Sequence, residues 1–213
     1  MTDRPERRRV LKALGIAAAW PLVAAPAVAA ETYRPATPKL TAGPQYPKIF
    51  PTDSDWDMTR VAGRDNPATG VVTDITGTVM NRKSQPQAGL RLEFWQSDAD
   101  GIYLNTGATG GDANFQGFAA VTTDADGRYK LRTIKPVPYP GRTAHIHFLV
   151  KDDGKEVLAS EMFVYGMPGN DGDGLYRSLG ANAELVTVKL TDAPKDSGAK
   201  LRGTFDIVIP RKD

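Results

Sequence analysis

From Gly70 onward, apolar and polar residues alternate with a period of two. The segments Leu90-Arg91-Leu92-Glu93-Phe94-Trp95 and Arg128-Tyr129-Lys130-Leu131-Arg132-Thr133-Ile134 show it most clearly. Successive side chains of a strand point to opposite faces, so this alternation predicts strands with one buried face. Residues 71–80 read as a strand pair or as one bent strand, and further strands are predicted over 144–150, 157–164, 185–190 and 203–209. Asp100-Gly101, Asp126-Gly127 and Asp153-Gly154 separate them as turn signals. Seven short strands so punctuated predict an all-β fold over residues 70–213. The expected form is an antiparallel β-sandwich, an Ig-like or transthyretin-like two-sheet core. No apolar period of about 3.6 residues persists there, so little helix is expected.

Residues 31–69 break this pattern. Pro35, Pro38, Pro44, Pro47, Pro51 and Pro67 oppose both a helix and a central strand, which predicts an irregular arm laid over a core. Residues 1–30 carry the order of an export signal: Arg7-Arg8-Arg9, an apolar run from Ala13 to about Ala25, then Ala27-Val28-Ala29-Ala30. The paired arginines followed by Val10-Leu11-Lys12 resemble a twin-arginine signal. The apolar run falls short of the roughly 20 residues a membrane span needs. A cleaved signal and a periplasmic or otherwise exported destination are therefore expected, an uncut anchor being the alternative.

Composition narrows the chemistry. The 213 residues suffice for one domain with a core, and 16 Pro with 21 Gly suit short strands joined by turns. The formal net charge of +2 comes from the first thirty residues, and the remainder is near neutral. Nothing in such a body predicts nucleic acid or an anionic membrane as partner. Cysteine is absent, which excludes disulfides, thiolate metal sites and Cys nucleophiles, so any metal must be held by N and O ligands.

The chain has two histidines, and both lie in His145-Ile146-His147. Residues i and i+2 of a strand share a face, so two imidazoles there can grip one metal ion. Further ligands must be carboxylates or tyrosinates, and Tyr103, Tyr139, Tyr165, Asp152, Asp153 and Glu161 are candidates. Two imidazoles with two phenolates form a hard, anionic set suited to a trivalent ion such as Fe(III). A zinc or copper site on the same strand is one alternative, and an exported binding module without catalysis is another. Asp-Ala-Asp-Gly occurs at 98–101 and 124–127, but Ile102 and Arg128 stand where a calcium loop needs an oxygen ligand, so tight turns are expected.

The segment from Leu92 to Tyr103, Leu-Glu-Phe-Trp-Gln-Ser-Asp-Ala-Asp-Gly-Ile-Tyr, resembles the intradiol ring-cleavage dioxygenases, in which a ligand Tyr closes that segment. Phe115-Gln116-Gly117-Phe118 and Thr123-Asp124-Ala125-Asp126-Gly127-Arg128-Tyr129 continue the likeness. Thr133-Ile134-Lys135-Pro136-Val137-Pro138-Tyr139 resembles the segment of the second ligand Tyr. Arg142-Thr143-Ala144-His145-Ile146-His147 resembles the one holding both ligand His. The resemblance implies one Fe(III) held by Tyr103, Tyr139, His145 and His147, with O2 opening a small aromatic diol between its hydroxyls. It further implies that Tyr139 leaves the iron and takes a substrate proton, and that Arg142 stabilises negative charge on the ring. Gly43 and Pro44 would line the substrate pocket. Related enzymes often assemble through N-terminal segments, so a homo-oligomer through the arm is a further expectation.

Two departures stand out. The spacer from Tyr139 to His145 is only Pro140 to Ala144, shorter than in the well-known enzymes, which predicts a more open site. Glu161 stands where those enzymes usually have Gln. As part of the substrate pocket it would add a carboxylate and disfavour carboxylated catechols, unless it is protonated or paired with an arginine.

Overall fold

The computed structural model describes residues 32–211, and the predicted export signal at 1–30 lies outside them. Ten strands follow one another: β1 Val72–Met80, β2 Arg91–Trp95, β3 Phe118–Thr122, β4 Arg128–Ile134, β5 His145–Asp152, β6 Lys155–Val164, β7 Thr187–Val188, β8 Thr191–Asp192, β9 Leu201–Thr204 and β10 Ile207–Val208. Among the described residues, helix is confined to α1, Gly174–Ser178, and three 3-10 turns. In one sheet β1 pairs antiparallel with β4 and parallel with β9 and β10, and β8 adds to β9. The other sheet runs β3-β2-β5-β6-β7.

The core lies between the sheets. Leu92 and Phe94 of β2, Ile146, Phe148 and Val150 of β5, and Leu158 and Met162 of β6 pack with Ile75, Leu131 and Ile207 of the facing sheet. The alternate residues of β2, β5 and β6 occupy the opposite face, where Trp95, Leu149 and Ala159 cluster with Tyr103 and Phe118. Ala42 and Tyr46 of the arm pack onto that cluster. Both faces of β5 are thus covered, and its residues from His145 to Val150 are all buried.

The arm is irregular yet tightly bonded, because each stretch of its backbone uses a donor or acceptor of a strand. The Thr37 N–H donates to Val208 O at 2.9 Å, that of Leu40 to Ala159 O at 2.9 Å, and that of Met58 to Arg132 O at 2.8 Å. Tyr46 donates to the buried Glu93 carboxylate at 2.7 Å, and Lys151 and Arg91 also pair with Glu93. A buried carboxylate is tolerated when so compensated.

Both Asp-Ala-Asp-Gly copies are turns closed by their first Asp. Asp98 Oδ1 accepts from the backbone N–H groups of Asp100 and Ile102, and Asp124 Oδ1 from those of Asp126 and Arg128. Of the two forms expected for residues 71–80, the single strand is found, as Val72–Met80. Three details differ from the pattern-based reading. Phe118–Thr122 is a strand although its small residues show no alternation. Leu185 and Val186 close a 3-10 turn, leaving only Thr187–Val188 extended. The sheets are mixed rather than strictly antiparallel, because long connections bring β7, β9 and β10 alongside partners that they follow in the same direction.

Gly77 shows how closely the segments fit: a Cβ there would lie 1.9 Å from the Phe205 carbonyl oxygen, which also accepts from Tyr129 OH at 2.6 Å. Gly77→Ala should therefore lower unfolding stability by roughly 1–3 kcal/mol, the scale of overpacking in a filled interior, as read by chemical denaturation.

Candidate metal centre

His145 and His147 project from the arm-covered face of β5, each only 2% exposed. Thr143 O lies 2.6 Å from His145 Nδ1, which assigns the proton to that nitrogen and leaves Nε2 with a free lone pair. His145 Nε2 and His147 Nε2 are 3.2 Å apart. Trp95 stacks flat on the His147 ring, with centroids 5.1 Å apart and planes within 2°. Each of the two imidazoles is therefore held in place, His145 by a backbone carbonyl and His147 by an indole.

Two tyrosines complete the group. The Asp98 turn delivers Tyr103, whose carbonyl accepts from Thr106 Oγ1 at 2.8 Å, and its hydroxyl reaches 3.5 Å from His145 Nε2. Tyr139 and Arg142 are the ends of a tight turn. The Arg142 N–H donates to Tyr139 O at 2.9 Å, Pro140 fits the second position, and Gly141 supplies a φ of 83°. The Tyr139 ring lies edge-on to Tyr103 with centroids 5.7 Å apart, and 5.6 Å from that of His145.

Burial keeps these donors in the protonation states a metal would meet. It pushes His145 down to about 4, helped by the Arg142 charge, and it also pushes His147 well down, so both imidazoles are neutral. Burial, with Tyr139 close by, raises Tyr103 far above a free phenol. Tyr139 is raised by its burial but pulled back by the adjacent Arg142. Without a cation the phenols stay protonated, and a multivalent ion at the meeting point of the nitrogens would draw both protons off. Two neutral nitrogens and a phenol oxygen facing one buried point fit a metal ion.

Arg142 is clamped between two buried carboxylates. Its Nε donates to Asp173 Oδ2 at 2.9 Å, and its Nη2 donates to Glu161 Oε2. Asp173 also accepts from the Thr143 N–H and caps α1 through the N–H groups of Leu175 and Tyr176. His145, His147 and Glu161 form a group compact enough to hold a metal ion. Glu161, however, stands beside His147 Nδ1, at 3.6 Å, not beside the Nε2 that faces His145.

The structure brings Tyr103, Tyr139, Arg142, His145, His147 and Glu161 together. Gly43 joins them, since a Cβ on it would lie 3.6 Å from His147 Cε1. Pro44 is exposed. Asp152 and Asp153 lie at the opposite end of β5 and its turn, with Asp152 paired to Arg211, and Tyr165 is 67% exposed. The sequence carries no signal for Asp173 as the anchor of Arg142, nor for the Trp95 stack beyond its place in an alternating strand.

A family model described as dioxygenase matches residues 41–210. The chain belongs to the intradiol ring-cleavage dioxygenase family. It is 32% identical over 160 residues to the hydroxyquinol 1,2-dioxygenase of Rhodococcus opacus, a match spanning 67% of this chain and 51% of that protein. It is 30% identical over 186 residues to the protocatechuate 3,4-dioxygenase beta chain of Burkholderia cepacia, spanning 79% of each. A solved dioxygenase domain, from a fusion with a carbohydrate-binding protein in Streptomyces sp. SirexAA-E, matches with a TM-score of 0.63 at 32% identity. That match covers 83% of this chain and 99% of the domain. This family member thus spans about half the length of the Rhodococcus enzyme, yet nearly all of the Streptomyces domain.

Within this intradiol dioxygenase fold, Glu161 is paired with Arg142. It therefore adds no free charge beside a substrate ring, and gives no reason by itself to reject carboxylated catechols.

The depressed His145 value has a consequence for folding. A histidine whose folded value lies below its unfolded 6.5 contributes fully above about pH 6.5, and that stability is lost as the pH falls toward about 4. Through His145 alone the metal-free protein should lose roughly 3 kcal/mol across that window, and the depressed His147 adds to the loss. Denaturant titrations at several pH values will show this slope, and His145→Gln should make it shallower.

Proposed function

We propose that the protein is a non-haem Fe(III) dioxygenase that opens a catechol-type ring between its two hydroxyls with O2, yielding a cis,cis-muconate-type diacid. The observation that carries this is the approach of His145 Nε2, His147 Nε2 and the Tyr103 hydroxyl to one buried point, with Tyr139 beside them. Tyr103, Tyr139, His145 and His147 would hold the ion, since phenolates are hard anionic donors suited to a trivalent metal. Bound Fe(III) would supply the means of withdrawing electron density from the ring so that a ring carbon reacts with O2. A zinc or copper site completed by Glu161 is disfavoured, because Arg142 already binds that carboxylate and its Oε1 faces His147 Nδ1 rather than the Nε2 that faces His145.

The protein's own groups divide the remaining work. Tyr139 is half-buried and borders the cleft, so it is the phenol able to exchange places with a substrate hydroxyl and take its proton. Arg142 sits next to it and favours the phenolate form, which keeps Tyr139 a competent proton acceptor. The arm, through Gly43, closes the side of His147 away from bulk water. An open cleft of about 540 Å³ leads to both tyrosines, lined also by Gln45, Ile102, Thr106 and Thr109, all uncharged. Its size exceeds what a single ring needs, and none of the residues lining it is a cation. This favours catechol, hydroxyquinol or alkyl-substituted catechols over protocatechuate.

Iron-loaded protein should be red from tyrosinate-to-iron charge transfer and should consume O2 with catechols, giving the ring-opened diacid by mass spectrometry. Tyr139→Phe should lower turnover by roughly 100-fold or more, the scale of a lost proton acceptor. Protocatechuate turned over faster than catechol would refute the substrate preference, and a colourless, inactive protein after iron loading would refute the whole reading. We also propose export, with residues 1–30 removed as a twin-arginine-type signal. N-terminal sequencing of the protein recovered from the periplasmic or secreted fraction tests it.

A further inference from the structure

Glu161 and His147 are directly opposite each other across β5 and β6. His147 Nδ1 and Glu161 Oε1 are 3.6 Å apart, and both are buried atoms with no hydrogen-bond partner. Unpaired buried polar atoms are costly, and here two complementary ones face each other, a ring nitrogen able to donate and a carboxylate oxygen able to accept. The ring bonds of Nδ1 and Nε2 point away from one another, so a carboxylate on Nδ1 stands behind the imidazole as seen from an ion on Nε2. Oε2 of Glu161 is held by Arg142, and Arg142 is held in turn by Asp173 at the start of α1. Arg142 is thus shared by two carboxylates, and Oε1 of Glu161 is left facing His147 Nδ1.

We infer that Glu161 is a positioning residue for His147 rather than part of the substrate pocket. It accepts the Nδ1 proton, selects the tautomer that leaves Nε2 free for the metal, and is itself fixed through Arg142 and Asp173. The inference rests on the proposed function, which makes His147 a metal ligand. Carboxylates behind ligating imidazoles orient the ring and raise its basicity. A glutamine at this position can orient the ring too, but it brings no charge. Glutamate therefore makes His147 the stronger donor and favours the ferric over the ferrous ion.

The test compares iron-loaded wild type with Glu161→Gln, which has nearly the same shape. Iron retention against a chelator and the Fe(III)/Fe(II) midpoint potential are measured beside kcat and KM for catechol. Glu161→Gln should weaken iron retention by about 10- to 100-fold, the usual effect of losing such a partner. It should also raise the midpoint potential while leaving KM nearly unchanged. Asp173→Asn, which leaves Glu161 and His147 in place but loosens Arg142, should move both quantities the same way by less. Unchanged retention and potential in Glu161→Gln overturn the inference and leave the dioxygenase reading standing. A raised KM with unchanged iron retention overturns it in favour of a substrate contact. A wild type that never takes up iron ends both.

Discussion

Trp95, His147 and Glu161 form a row across three neighbouring strands, because the register of the sheet pairs Trp95 with His147 and His147 with Glu161. Everything at the candidate centre depends on that register. A slip of one residue in β5 would carry both histidines into the core and turn Ile146 and Phe148 toward the tyrosines. The register is held by the inner face of the same strands, where each large apolar side chain contributes about 1.5–3 kcal/mol on burial. The donor geometry is thus set by packing on the side of the sheet that takes no part in the chemistry.

The outer face needs a lid of its own, and the arm provides it. A proline-rich segment cannot pair as a central strand, yet it can lay single hydrogen bonds along strand edges and carry an aromatic ring into place. Tyr46 meets Trp95 edge-on at 5.0 Å between centroids, and Trp95 stacks on His147. The arm is coupled in this way to a candidate ligand through two ring contacts. Covering this face also dries it, and the dryness, with the Arg142 charge, keeps the imidazoles neutral. Protons therefore do not compete for those nitrogens near neutral pH.

Burying charge near a metal centre is costly unless it is compensated. Two solutions are visible on the same face. Glu93 is met by Arg91, Lys151 and Tyr46, which ties the arm to β2 and β5. Glu161 and Asp173 share Arg142, which ties β6 to the start of α1 and to the turn that carries Tyr139. Arg142 is in this respect a structural bridge between these elements.

The alternation in β2 and β4 was legible because each has one face in the core, and β5 was legible from its two histidines at i and i+2. The strand Phe118–Thr122 was not, because Ala119 and Ala120 blur the contrast between its faces. Tyr103 and Tyr139 are ordinary tyrosines by local pattern, and only the likeness to a family singled them out. The amino-acid sequence by itself determined the kinds of donor, the absence of thiolates, the shared face of the histidines and the turn that presents Tyr103, since these follow from composition and short-range geometry. Only the tertiary structure decided that Glu161 stands behind His147 and that Asp173 steadies Arg142. Those contacts join residues far apart in the chain, and they exist only once strand register and loop closure have brought them within hydrogen-bonding reach.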